Sequence, residues 1–245
     1  MSESKKLTVL GIGAHPSDAF PGIGGTLAKH AKRGDNVILL SVTYGIHVHT
    51  ERLRDKSVEE IKDIVREEST EAAKILGVND YRFLDFDDSP LVATKEALVE
   101  VGKVIQDTRP DIVISVHYPF KEAERGHDHG VTARMIDRAP VWRHPDVDAP
   151  HRAKTIYYST MDFIGGLNYP MPTPPDVFVD ITDTMEQKIE ACIASWGSIA
   201  GGFDPEKYAE DSRIEHRFFG RIVGVEYAEP YESVRGQRVV DYLTQ

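Results

Sequence analysis

The chain has 245 residues, a formal net charge of −11, 40% hydrophobic residues and a single cysteine. That length suits one α/β domain spanning 1–245. The acidic balance, with no basic block, argues against nucleic acid or a membrane surface as partner, and the lone Cys192 cannot form an internal disulfide framework and fits a reducing compartment. No apolar run approaches the roughly 18 residues of a membrane span, so a cytoplasmic protein is expected.

Strand and helix patterns alternate along the first half of the chain. "LTVLGIGA" reads as a buried strand that stops at His15, and "GIGGTLAKHAKRG" as a helix closed by Gly34. "NVILLSVTYG" is a second buried strand. "SVEEIKDIVREESTEAAKILGV" carries apolar residues at helical spacing and ends at Gly77. "DYRFLDF" is a short strand before the turn "DDSP", "ATKEALVEVGKVIQDTRP" a third helix, and "DIVISVHY" a buried strand ending in His117 and Tyr118. This order predicts a Rossmann-like, mainly parallel sheet with helices on both faces. Such sheets bind ligands at the carboxyl ends of their strands. His15, Tyr44, Asp88 and His117 all fall at that edge.

The second half is less regular. "RMID" begins as a helix, "KTIYYSTM" and "VFVDIT" read as strands, and Thr182 or Asp183 is positioned to cap the helix "DTMEQKIEACIASWGSI". "AGGFDPEKYAED" reads as a loop. "SRIEHRFFGRIV" reads as a helix, followed by a strand and then a tail with Tyr227, Glu229 and Tyr231. Cys192, Phe218, Phe219 and Tyr227 are expected in the core. His30 is expected to be structural, and His151 and His216 have no evident partner.

The chemistry concentrates in two short stretches. "AHPSDAF" places His15 and Asp18 on the loop after the first strand, and "ERGHDHGV" places His127, Asp128 and His129 before a helix. No G-x-G-x-x-G opens the helix and no Walker lysine is present, which leaves a nucleotide cradle weakly supported. Zinc in hydrolytic sites takes three protein ligands and keeps a position open. His15 and Asp18 supply two, and the His127–His129 segment, on the same sheet edge, supplies the third. Two histidines and one carboxylate also suit Fe²⁺ or Mn²⁺.

"AHPSDAFPGIGGTLAKHAKRGDNV" resembles the A-H-P-D-D-E…G-G-T-L-A signature of the PIG-L/LmbE family of zinc-dependent N-deacetylases. "REESTEAAKILGV", "DFDDSPL", "RPDIVISVH", "DHGVTAR" and "VFVDITDTMEQKIEA" match later blocks of that family in order. The resemblance implies zinc held by His15, Asp18 and His129, hydrolysis of a carbon–nitrogen bond of a small-molecule substrate, and a homo-oligomer. Two positions depart from it. The aspartate implied as general base is Ser17, and the first histidine of the family's H-P-D-H falls on Gly126, with His127 one place later. A hydroxyl without a partner is a poor base.

H-P-S-D also resembles the H-S-A-D of the 4-oxalomesaconate hydratase branch. That branch's glutamate after the second strand is replaced by Ile46, which leaves His47, His49 or Glu51 as candidates for its role. The chain is therefore read as a metal-dependent hydrolase of the deacetylase type, with a hydratase or an inactive metal-binding relative as alternatives. Ser17, His127 and Asp128 are the candidate catalytic residues; Tyr44, His49, Arg66, Asp88 and His117 are the candidate substrate contacts.

Overall fold

The computed structural model describes residues 5–48, 53–116, 128–138, 151–160, 175–196 and 203–233. Seven strands form one sheet: β1 (Thr8–Gly13), β2 (Asn36–Thr43), β3 (Asp80–Phe86), β4 (Ile112–Ser115), β5 (Thr155–Ser159), β6 (Val177–Asp180) and β7 (Ala228–Ser233). Their order is β3-β2-β1-β4-β5-β7-β6. Pairings from β3 through β5 are parallel, and β7 runs antiparallel to both its neighbours. The expected mainly parallel sheet is present.

Among the described residues six α-helices cover it: α1 (Ala19–Lys32), α2 (Val58–Ile75), α3 (Lys95–Thr108), α4 (Asp128–Arg138), α5 (Met185–Trp196) and α6 (Pro205–Val223). Along β1 the side chains alternate. Val9 joins the apolar cluster of α1, α2 and α5, whereas Leu10 and Ile12 join that of α3 and α4. Both faces are thus buried, as a parallel sheet requires.

Local signals set the helix ends. Ser57 and Glu60 form a reciprocal capping box at α2, and Thr94 accepts from the Ala97 N–H at α3. Asp204 caps α6 with Pro205 in its first turn. That cap turns the segment expected to be a loop before Ser212 into helix. The supposed tail after the last helix is strand β7, pinned between β5 and β6. At α5 the first turn follows Thr184, while Asp183 faces Lys32 at 3.1 Å.

Phe219, Tyr227 and Cys192 are buried as expected, but Phe218 is 56% exposed. The buried face of α6 is made by Ser212, His216, Phe219 and Gly220, and Phe218 lies on the other side of the helix. His30 bonds Asp35 at 2.7 Å, and His151 bonds the Pro110 carbonyl at 2.6 Å. No helix among the described residues is long and apolar enough to cross a membrane.

Candidate metal centre

The strand order reverses between the adjacent, parallel strands β1 and β4, the place at which such sheets bind ligands. The loop after β1 turns sharply. The His15 N–H donates to Asp18 Oδ2 at 2.7 Å, and the Asp18 N–H to the His15 carbonyl at 3.2 Å. Gly13 permits the turn, because a Cβ there would lie 3.1 Å from that of Asp18. From the side, Thr43 fixes Ala14 by donating both its N–H (2.9 Å) and its hydroxyl (3.0 Å) to the Ala14 carbonyl.

Across the gap, Asp128 and His129 open α4. His15 Nδ1 lies 3.4 Å from Asp18 Oδ2 and 3.3 Å from His129 Nε2, and the last two atoms are 3.7 Å apart. Two ligand atoms about 2.1 Å from one ion at a tetrahedral angle lie about 3.4 Å apart, so the three separations fit a single small cation. The three side chains are only 7%, 9% and 12% exposed. The donor set, two imidazoles and a carboxylate, suits zinc, iron or manganese.

Asp128 occupies the far side of the His15 ring. His15 Nε2 lies 3.2 Å from Asp128 Oδ2, and with Nε2–H donated there the neutral ring would turn its Nδ1 lone pair toward Asp18 and His129. Asp128 is itself held by the N–H groups of Ser89 (2.9 Å, to Oδ2) and Leu91 (2.7 Å, to Oδ1). Burial opposes its charge, but His15 and these two N–H groups outweigh burial and bring its pKa down to about 2. Burial likewise works to lower the His15 pKa, yet Asp18 and Asp128 raise it to about 10. The pocket is therefore strongly cation-seeking.

His15, Asp88 and Asp128 form a second group with ligand atoms within 4.8 Å of one another. It is the poorer donor set. Both Asp128 oxygens already accept N–H groups, and Asp88 Oδ2 accepts the His47 N–H at 3.1 Å.

The other candidates divide. Ser17 is buried on the β1 loop, one residue before Asp18. Tyr44, just after β2, stacks on Phe83 (5.5 Å), which stacks on Tyr81 (4.4 Å). Tyr81 donates to the Pro16 carbonyl, tying this aromatic stack to the β1 loop. Arg66 reaches from α2 to the Tyr44 hydroxyl at 2.5 Å and also pairs with Asp63 at 2.8 Å. His49, His117 and His127 lie outside the described residues.

One group escaped sequence reasoning. Glu229 on β7 accepts the N–H groups of Gly25 and Thr26 in α1, both at 2.9 Å, and the Tyr231 hydroxyl at 2.8 Å. Lys188 of α5 donates to it at 2.7 Å and to His216 Nε2 at 2.5 Å. Apart from Tyr231, two residues from Glu229, these partners are 28 to 204 residues apart, and no local pattern marks them.

Residues 10–139 match the family described as PIG-L, GlcNAc-PI de-N-acetylase. The diacetylchitobiose deacetylase of Thermococcus kodakarensis is 31% identical over 93% of this chain and 83% of its own length. A 4-oxalmesaconate hydratase of Pseudomonas putida is 26% identical over 76% of this chain and 73% of its own. The crystal structure of a 4-carboxy-2-hydroxymuconate hydratase from Pseudomonas putida superposes with a TM-score of 0.76 at 25% identity, covering 98% of this chain and all of that one. Deacetylases and a hydratase thus share this architecture, and the chain belongs to the PIG-L family as an enzyme of one of these two kinds.

Proposed function

We propose that the protein is a zinc-dependent hydrolase that cleaves a carbon–nitrogen amide bond of a small molecule. The observation that carries this reading is the convergence of His15 Nδ1, Asp18 Oδ2 and His129 Nε2, 3.3 to 3.7 Å apart, in a nearly closed pocket. His15, Asp18 and His129 would hold a divalent cation, which would supply a water of lowered pKa, toward ~7, and polarisation of a carbonyl oxygen.

The chain's own residues supply the rest. Asp128 fixes the His15 ring and its tautomer through Nε2–H. With a pKa brought down to about 2, Asp128 serves better as an orienting anion than as a base. His127 takes up the proton released by the attacking water, and Ser17 hydrogen-bonds the reacting group. Arg66, presented on the Tyr44 ring with its guanidinium carbon 5.3 Å from the centroid, binds an anionic or hydroxylated part of the substrate. Asp88, His49 and His117 complete the substrate contacts.

One observation favours a second reading, hydration of an unsaturated oxo-acid. Position 17 is serine, where the resemblance implies an aspartate base for deacetylation. The reading is completed by a cytoplasmic setting, which the single buried cysteine fits, and by a homo-oligomer organised as one domain over 1–245, as the family resemblance and the length imply.

Elemental analysis of the purified protein, followed by turnover of acetylated amino sugars, acetylated cysteinyl conjugates and unsaturated oxo-acids, tests both readings. One equivalent of zinc and amide cleavage that is lost in chelator and in His129→Ala is the expected result. Turnover of the oxo-acid alone selects the hydratase. Metal-free protein with activity indifferent to chelator refutes both.

A further inference from the structure

The outer face of α6 is unlike that of a helix meant for water. Ile214, Phe218 and Ile222, spaced i, i+4 and i+8, are 60%, 56% and 55% exposed. An ordinary surface helix places charged residues there, and a contiguous exposed apolar stripe marks an interaction site. The Phe218 ring is braced edge-on against the buried Phe219, with centroids 5.2 Å apart, so it projects as a fixed knob.

We propose that α6 packs antiparallel against α6 of a second copy of this chain, across a two-fold axis. This rests on the homo-oligomer reading above and names its surface. The charges along the helix select the arrangement. The C-terminal half carries Arg213, Arg217 and Arg221 against Glu215, and the N-terminal half Glu206, Glu210 and Asp211 against Lys207, so the two halves keep opposite net charge; Asp211 pairs with Lys207 and Arg217 with Glu226 within the chain, and these exposed groups can share a partner's charges. In a parallel pair, Arg221 meets its own copy and so does Asp211. In the antiparallel register that sets Ile214 against the partner's Phe218, Asp211 faces the partner's Arg221 and Glu215 faces the partner's Arg217. The two-fold repeats each of these contacts. That register joins Ile214 and Phe218 of the two copies and the charges beside them, leaves Ile222 opposite the partner's Glu210 at the edge of the contact, and is favoured by opposed helix dipoles.

One helix pair buries less than the ~1,000 Å² of a tight interface, so association on the order of micromolar is expected. Sedimentation velocity between roughly 1 and 100 µM reads that range. Wild type is expected to form a reversible dimer, alone or as the unit of a larger assembly. Asp211→Arg and Arg221→Asp each place like charges together and raise the dissociation constant at least ~10-fold. An equimolar mixture of the two variants restores association, because the introduced arginine of one then faces the introduced aspartate of the other. Phe218→Glu abolishes association with the thermal midpoint unchanged, which shows that the fold is retained.

An oligomer that none of these variants weakens overturns the α6 pairing and leaves the homo-oligomer reading standing. A wild type monomeric over the whole range overturns both. Binding of the face to lipid vesicles by a protein that stays monomeric identifies a different occupant and also overturns the pairing.

Discussion

Replacing Lys188 by methionine removes one charge from a fully enclosed polar group. Lys188 and Glu229 side chains are both 0% exposed and 2.7 Å apart. Burial opposes ionisation of Glu229, but the Lys188 charge and the hydrogen bonds around it hold its pKa below the usual carboxylate range. Lys188→Met leaves that carboxylate with three donors and no counter-charge, and leaves His216 Nε2 without its donor. Orphaning one member of a buried ion pair costs about 3–5 kcal/mol. In a domain of this size that lowers the thermal midpoint by roughly 6–20 °C. Glu229→Leu alone removes the acceptor of two α1 N–H groups, at about 1–3 kcal/mol for each group left unsatisfied. The double variant no longer holds an unpaired charge, so its loss is smaller than the sum of the two, with a coupling of about 2 kcal/mol or more in a double-mutant cycle. Calorimetry and urea titration measure all three proteins. A Lys188→Met protein within about 1 kcal/mol of wild type, or strictly additive losses, refutes the argument that this lysine is the counter-ion on which β7 and α1 depend.

Two further outcomes follow from the same geometry. Asp128→Asn keeps an acceptor for His15 Nε2–H but loses the charge that orients and polarises the ring. Zinc affinity is expected to fall about 10–100-fold, measured by competition with a chromogenic chelator. His216 is buried, and burial with the nearby Lys188 charge lowers its pKa to about 3. The unfolded chain takes up this proton near pH 6.5, so the contribution of neutral His216 is complete above that value. It declines as pH falls toward about 3, by up to about 1.4 kcal/mol per pH unit. Urea midpoints between roughly pH 7 and pH 4 should show this slope, and His216→Gln should flatten it by one proton.

The sequence made the parallel half of the fold legible because its strands are continuous apolar runs closed by turn residues. β3, read as "DYRFLDF", has the same limits in the structure. The His15–Asp18–His129 group was legible for a different reason, since each residue lies within three residues of a strand or helix end on one sheet edge. Where local and tertiary signals diverge, the reading missed. The Gly-Gly of "AGGFDPEKYAED" suggested a loop, but Asp204 and Pro205 start a helix two residues later. β7 was taken for a tail because "AEPYES" has no alternation; it becomes a strand only by pairing with β5 and β6. Phe218 was assigned to the core by residue type alone, and the helical phase set by Ser212, His216 and Phe219 places it outside.

Ser17 is where the sequence departs from the deacetylase pattern, and it offers a direct way to exchange one chemistry for the other. The proposed cation frame of His15, Asp18, His129 and Asp128 would serve either reaction, because both need an activated water and a polarised oxygen. What separates them is the group beside that frame that takes or gives a proton. Ser17 is buried one residue before Asp18. Ser17→Asp adds a carboxylate there, next to Asp18. In metal-free protein the added negative charge is repelled by its neighbours, so the thermal midpoint should fall. With zinc bound the repulsion is offset and the loss should be recovered in part. If a general base at this position is what amide cleavage lacks, the variant should gain in kcat for an acetylated amino sugar by about 10²-fold, the usual scale of general-base assistance. The gain should appear in kcat rather than KM, because the new group acts on the attacking water and not on the bound substrate. A zinc-loaded Ser17→Asp protein with wild-type kcat means that another residue, His127 in the reading above, already supplies the base, and that the serine does not determine which reaction the site performs.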